Sequence, residues 1–261
     1  MSADQQVRVQ RDQGLAVVTV DSPPLNLFDH GMERGLLAAI DELEAARPRA
    51  VLFRAEGRAV SGGVDVSLFA GLSGPEAATE TFDGLVALAR RVACLPCPTV
   101  FAAHALCLTW AFELALACDL ILAARSASFG LVERVIGLTP AMGGTPRLAE
   151  RAGTGRAREL VMTGGRYSAA ELERWNVVNR VLDDEGFDVA ARDFAAELAS
   201  GPTLAHAATK RVIESYLEGG LELANDRVGA VAGDLFATED LQAAVRTFLE
   251  QGPGKATFEG R

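Results

Sequence analysis

Apolar positions along the chain switch between two periods. Val7 to Gln10 and Leu15 to Val20 are short β-rich runs around Asp12-Gln13-Gly14, and they predict a hairpin that Pro23 and Pro24 stop. Met32, Leu36, Ile40 and Leu43 then recur at three and four residues, predicting an amphipathic helix over 30–46 that Pro48 ends. Ala50 to Phe53 is a short apolar strand, followed by a glycine-containing loop through Asp65. Pro75 opens a helix carrying Phe82, Leu85, Val86, Leu88 and Val92. Thr99 to Ala103 has the pattern of a buried strand, 110–118 of a helix, and Leu120 to Ala123 of another strand. This alternation of strand and helix predicts an α/β fold.

Beyond Gly144 the strand signal nearly disappears. Residues 145–163 read as helix with breaks at Gly153 and Gly155, Val177 to Val181 is the last strand candidate, and 187–251 reads as helix throughout. Leu221, Ala224, Val228, Val231 and Leu235 form an apolar stripe that faces either the body of the subunit or a neighbouring chain.

Composition narrows the classes. With 261 residues, nearly half of them apolar, the chain has room for one large core, alone or with a small appendage. No apolar run is long enough to span a bilayer, and Met1 to Gln6 shows no basic segment leading into an apolar one, so neither a membrane nor secretion is expected. A net charge of −10 argues against nucleic acid as the main partner. Cys94 and Cys97 have the spacing of a redox pair, but they lie just before a predicted strand with no second pair to complete a zinc site. Cys107 and Cys118 fall among core residues, and a reducing cytoplasm is the expected compartment.

The candidate chemistry lies between Phe101 and Gly144, with Arg58 to Asp65 upstream. Glu113 is set in an apolar helix, and Glu133 precedes a glycine-rich turn. A carboxylate in such surroundings is costly to bury ionised, or it titrates high, and paired carboxyls of that kind suit proton transfer near neutral pH. Spacing alone equally allows Glu113 to be a partly exposed helix acid with a salt-bridge partner. Ser61-Gly62-Gly63-Val64-Asp65 and the turn into the helix near Trp110 can each present free backbone N–H groups, and two such donors aimed at one oxygen form an oxyanion hole. The Ser-Gly-Gly segment also reads as a plain tight loop. A serine-hydrolase reading of Ser61 with His30, His104 or His206 lacks the nucleophile elbow, and both the dinucleotide fingerprint and the phosphate-binding loop are missing.

With these residues in view, the chain resembles the crotonase superfamily, the enoyl-CoA hydratases and isomerases, over nearly its whole length. Val60-Ser-Gly-Gly-Val-Asp65 is similar to that family's Phe-Ser-Ala-Gly-Ala-Asp loop. Phe112-Glu-Leu-Ala-Leu-Ala-Cys-Asp119 is similar to its Cys-Glu-Leu-Ala-x-x-Cys-Asp helix. Phe129 to Glu133 and Gly137 to Leu148 are similar to its Phe-Gly-x-Pro-Glu and Gly-x-x-Pro-Gly-x-Gly-Gly-Thr-x-Arg-Leu segments. The resemblance implies an α/β spiral of ββα units over residues 1–200 carrying an acyl-CoA site, with a helical region over 201–261 that packs subunits into trimers or dimers of trimers.

The resemblance also implies roles. The substrate would be an acyl-CoA thioester, with coenzyme A as part of the substrate and no metal or redox cofactor. Its oxygen would be bound by the N–H groups of Val64 and Trp110. Ser61, Gly62, Gly63, Asp65 and Ala141 would help bind substrate. Glu113 would activate water for attack at C3, and Glu133 would deliver a proton to C2. Enoyl-CoA hydratase is the first expectation. A double-bond isomerase relying on Glu133, or a non-catalytic acyl-CoA-binding homologue, is the alternative. Thr109-Trp110-Ala111 stands where the family usually has three glycines, and the indole is expected to narrow the room beside the thioester.

Overall fold

Gln13 and Gly14 both take positive φ, 46° and 89°, and turn β1 (Val7–Asp12) back onto β2 (Leu15–Val20) through the two-residue loop that such angles favour. This is a computed structural model, and it describes residues 6–261. Met1 to Gln5, most of the stretch inspected for a secretory signal, lie outside the described residues. All six residues of β2 are buried, because β3 (Ala50–Ala55) pairs along its far edge and α7 (Phe187–Ser200) packs against β2 and β3. Two covered faces explain a continuous apolar run in place of alternation. α7 presents Phe187, Ala191, Ala195 and Ala199 to that sheet, and three alanines four residues apart let the helix approach closely.

α1 (His30–Ala46) has the predicted bounds. Asp29 caps it by accepting the Met32 N–H at 2.7 Å, and Met32, Leu36, Ile40 and Leu43 are its buried stripe. α2 (Ser67–Ala70) is a short turn of helix, and α3 (Pro75–Ala93) starts at the proline. From here the chain repeats a unit. β4 (Thr99–Ala103) and β5 (Leu106–Leu108) lead into α4 (Trp110–Ala117). β6 (Leu120–Ala124) and β7 (Ser128–Gly130) lead through a 3₁₀ turn, Glu133–Ile136, into α5 (Gly144–Thr163). In each unit the first strand joins a large sheet and the second a small one. With β8 (Tyr167–Ser168) and β9 (Arg180–Leu182), the large sheet runs β1-β2-β3-β4-β6-β9, parallel except for β1, and the small sheet runs β5-β7-β8. A bridge from Ser61 to Cys107 brings the loop after β3 beside the small sheet. The ββα spiral follows from this repetition, and α4 lies within the core that it encloses.

The differences from the sequence reading have physical causes. β5, β7 and β8 are two or three residues long, too short to display a period. The last strand lies at 180–182, because Val177 and Val178 close the turn after α6 (Ala169–Arg174) by donating to the Leu172 carbonyl. The helical tail is broken. α8 (Thr203–Asp234) is interrupted at Gly219 and Gly220, where Gly220 takes φ 73°, and a 3₁₀ turn separates it from α9 (Glu239–Gln251). Of the predicted stripe, Ala224 is buried within the subunit while Leu221 and Val228 are exposed. Cys107 and Cys118 are core residues, as expected. Among the described residues no helix is long and apolar enough to cross a membrane.

Candidate active site

Every residue of α4 is buried, Glu113 included, at 3 % exposure. The reading of Glu113 as a partly exposed acid with a salt-bridge partner is therefore set aside. Its carboxylate meets backbone instead: Oε2 accepts the Met142 N–H at 2.9 Å and the Gly144 N–H at 2.7 Å. Gly144 has to be glycine for this approach, since a Cβ there would sit 2.5 Å from Glu113 Cγ. Burial pushes the carboxyl up to about 7. The N–H bonds oppose that rise, and the neighbouring Glu133 charge adds to it.

Glu133 opens the 3₁₀ turn that follows β7. Its Oε2 is buried and has no partner among the described residues, and burial raises this carboxyl also to about 7. Both acids line one cavity of about 80 Å³. The rest of its wall is largely apolar, with Phe28 and Val64 on one side, Phe69, Phe82 and Leu85 on another, and Leu138, Ala141 and Met142 beside the acids. His30, Glu33 and Thr81 also reach it.

Trp110 forms part of the same wall. Its indole N–H donates to the Asn26 carbonyl at 3.2 Å, and its ring lies 5.7 Å from that of Phe28. Asn26 is itself fixed, donating to the Glu56 and Ala59 carbonyls. The indole thus has one held orientation beside the acids. The backbone N–H of Trp110 is the first of its helix, where no intrahelical acceptor exists. The Val64 segment is bridged to Phe28 by its flanking groups, Phe28 N–H to the Gly63 carbonyl and Asp65 N–H to the Phe28 carbonyl, which leaves the Val64 N–H on the other edge. Neither the Val64 nor the Trp110 N–H has an acceptor among the described residues.

The remaining predicted binding residues do not line the cavity. Ser61 is fully buried, and its hydroxyl accepts the Gly63 N–H at 2.9 Å. Gly63 takes φ 118°, and a Cβ at Gly62 would press on Leu25 at 3.0 Å. Asp65 accepts the Ser67 N–H at 2.9 Å, which holds its carboxyl below the usual range. The four shape the turn that presents Val64. His104 lies against the Gly57 carbonyl at 2.9 Å and His30 against Glu33 at 3.5 Å, while the Ser61 hydroxyl bonds only to Gly63 among the described residues, so the hydrolase arrangement is not formed there. Sequence reasoning passed over the aromatic wall of Phe28, Phe69 and Phe82, whose residues are far apart in the chain and carry no shared motif. It also passed over Met142 as a donor to Glu113, for which the Gly143-Gly144 pair was the available signal.

Thr109 is the strained point. It sits just before Trp110 at φ 49° and ψ −118°, a region that residues with a Cβ rarely enter, and its buried Oγ1 has no partner among the described residues. Such a conformation costs about 1–3 kcal/mol. Part of that returns as extra unfolded-state freedom when glycine is substituted. Thr109→Gly should therefore stabilise the chain by about 1 kcal/mol, read as a raised midpoint in denaturant with the slope unchanged. A lowered midpoint would mean that the packing of the threonine methyl outweighs the strain.

Comparison with known proteins identifies the family of the chain. The enoyl-CoA hydratase/isomerase family model matches residues 10–261. A protein of Bacillus subtilis (strain 168) described as a probable enoyl-CoA hydratase is 32 % identical over 256 residues, covering 95 % of this chain and 96 % of the relative. A short-chain-enoyl-CoA hydratase of Clostridium acetobutylicum is 27 % identical over 94 % of this chain and 95 % of its own length. The crystal structure of an enoyl-CoA hydratase from Bacillus anthracis superposes with a TM-score of 0.90 at 26 % identity, covering 98 % of this chain and all of the other. With the match running from β1 through the end of α9, the chain belongs to the enoyl-CoA hydratase/isomerase family.

Proposed function

We propose that this protein is an enoyl-CoA hydratase that adds water across the C2=C3 bond of a short 2-enoyl-CoA. The observation that carries this reading is the pair of buried carboxyls, both raised to about 7, on the wall of one small apolar cavity. The thioester oxygen accepts hydrogen bonds from the Val64 and Trp110 N–H groups, which draws electron density away from C3 and stabilises the enolate. Glu113, ionised, takes a proton from water as its oxygen bonds to C3. Glu133, protonated, gives its proton to C2. The thioester itself makes C3 electrophilic, so the step calls for no metal or redox cofactor. The net change is one water added to the substrate and one proton moved from Glu133 to Glu113, and its return resets the pair. A cavity of about 80 Å³ bounded by Trp110, Phe69 and Phe82 favours a short, unbranched acyl group.

Glu113→Gln and Glu133→Gln should each lower kcat for hydration by about 10²- to 10⁴-fold at neutral pH, the usual contribution of a positioned acid or base. Circular dichroism should show both variants folded. Unchanged hydration in Glu113→Gln, with C2–C3 to C3–C4 double-bond migration still lost in Glu133→Gln, would replace this reading with an isomerase that shuttles a proton on Glu133. Binding of acyl-CoA by the native chain without turnover on any enoyl-CoA would point to a non-catalytic homologue.

We further propose that residues 1–200 carry the site and 201–261 the assembly surface of a homotrimer or a dimer of trimers, working in a reducing cytoplasm. In the single chain, Leu221, Phe236 and Leu249 are 66 %, 65 % and 79 % exposed along α8, the following turn and α9. So much apolar surface at one end of a subunit favours burial against copies of itself. Four free thiols suit a reducing compartment. Sedimentation velocity at micromolar concentration should give a trimer or a multiple of three, and a stable monomer would contradict the assembly.

A further inference from the structure

Behind the turn that holds Glu113 lies a cation with no carboxylate partner within ion-pair distance among the described residues. Arg147, in the first turns of α5, donates through Nη1 to the Met142 carbonyl at 3.3 Å and to the Gly143 carbonyl at 3.1 Å. The Gly144 N–H, which shares a peptide with the Gly143 carbonyl, and the Met142 N–H one peptide earlier are the donors to Glu113. Gly143 takes φ 85°, and a Cβ there would overlap the guanidinium. The turn is thus gripped from both sides, with an anion on its N–H groups and a cation on its carbonyls.

The placement is poor for stability alone. A cation near a helix N-terminus opposes the helix dipole. Burial pulls the Arg147 guanidinium below its ordinary value, and the Glu113 charge is the first of those opposing that shift. Arg147 also faces Cys94 at the end of α3, Cys118 at the end of α4 and Glu150 on its own helix, while Glu113 faces Glu133. The cavity behind the turn holds other charges, and most are engaged elsewhere. Lys210 of α8 pairs with Asp119 at 2.8 Å, and Arg151 is bound to the carbonyls of Cys118, Val177 and Asp119. Arg90, His206 and Glu214 complete the charged rim.

We propose that Arg147 is a positioning residue for the water-activating acid: by binding the Met142 and Gly143 carbonyls it fixes the turn that carries both N–H donors to Glu113, and through the Gly143–Gly144 peptide it polarises the Gly144 N–H. This rests on the hydratase reading for its kinetic consequence, but the hold on Glu113 exists whether or not the chain turns over substrate. Hydrogen bonds to a carboxylate favour its charged form, so loosening them raises the pH at which it ionises.

The test compares Arg147→Met, which keeps the stem and removes the charge, with Arg147→Lys, which keeps the charge. In Arg147→Met the acid limb of kcat/KM for a short enoyl-CoA should move up by about one pH unit, a tenfold loss of the ionised acid below the limb. The loss should fall on kcat with KM nearly unchanged, and shrink above the limb. Arg147→Lys should recover at least half of the displacement. A ¹³C-carboxyl titration of Glu113, assigned with Glu113→Gln, should show the same upward displacement without any turnover. If the native chain hydrates nothing yet this midpoint moves, the hydratase reading fails and the positioning role stands. If neither limb nor midpoint moves, or if both variants lose rate equally at every pH, Arg147 is a structural anchor and the proposal is overturned. Should Arg147→Met not fold, Arg147→Gln takes its place in the same titration: an upward displacement of the Glu113 midpoint that Arg147→Lys does not show supports the proposal, and an unmoved midpoint refutes it.

Discussion

A carboxylate buried in the middle of an apolar helix is the constraint on which the rest of this structure depends. Moving an ionised carboxyl out of water without partners costs several kcal/mol or forces it to titrate high. Here both responses are present. Oε2 of Glu113 receives two backbone N–H groups, and its carboxyl is nevertheless raised to about 7. The two N–H groups come from a turn that can approach only because Gly144 has no Cβ and Gly143 accepts a left-handed backbone. α4 must in turn be apolar on every side, because it is enclosed by the spiral, and the spiral is built by repeating the same strand–strand–helix unit around it. Fold and site are therefore two consequences of one choice: where the acid is placed.

The second consequence is energetic matching. In the proposed hydration one proton moves onto one acid and another off its partner, so each turnover would leave the pair in the opposite state. If the two acids differed by several pH units, resetting them would cost 1.36 kcal/mol per unit of difference. Glu113 and Glu133 are raised to about the same value by different means: Glu113 by deep burial opposed by N–H bonds and raised further by its neighbour's charge, Glu133 by burial with one oxygen unpartnered among the described residues. Near neutral pH the pair then holds roughly one proton, the stoichiometry that the proposed reaction would consume and return.

Much of this was legible in the residues. The apolar frames around Glu113 and Glu133 marked both as unusual acids, and the turn after Glu133 was read as glycine-rich. The bounds of α1 followed from the Met32–Leu43 spacing and Pro48, and its cap at Asp29 emerges from the structure. What was not legible shares a cause, because it is set by contacts between distant segments. Strands of two or three residues carry no period and exist because a neighbouring strand is there to pair. The wall of Phe28, Phe69 and Phe82 is assembled from three separate elements. Ser61, read as a substrate contact, is consumed in stabilising its own turn, since a hydroxyl two residues before an N–H satisfies it locally. Thr109 could not have been placed at positive φ from its identity, because threonine is a residue that avoids that region. Trp110 was read as a bulky intruder on the site, and the structure gives it a defined seat against Asn26 and Phe28 on the cavity wall.

The central claim is that two neighbouring acids titrate near neutrality within one cavity. It is tested most directly by following the ¹³C-carboxyl resonances of the glutamates in the unliganded native protein as pH is varied, with assignments from the single Gln variants. The account predicts that Glu113 and Glu133 stand apart from the other glutamates, with midpoints near 7 instead of the ordinary 4.5. Two midpoints at the ordinary value would mean that neither acid is held in the state the chemistry requires, and the account would be wrong.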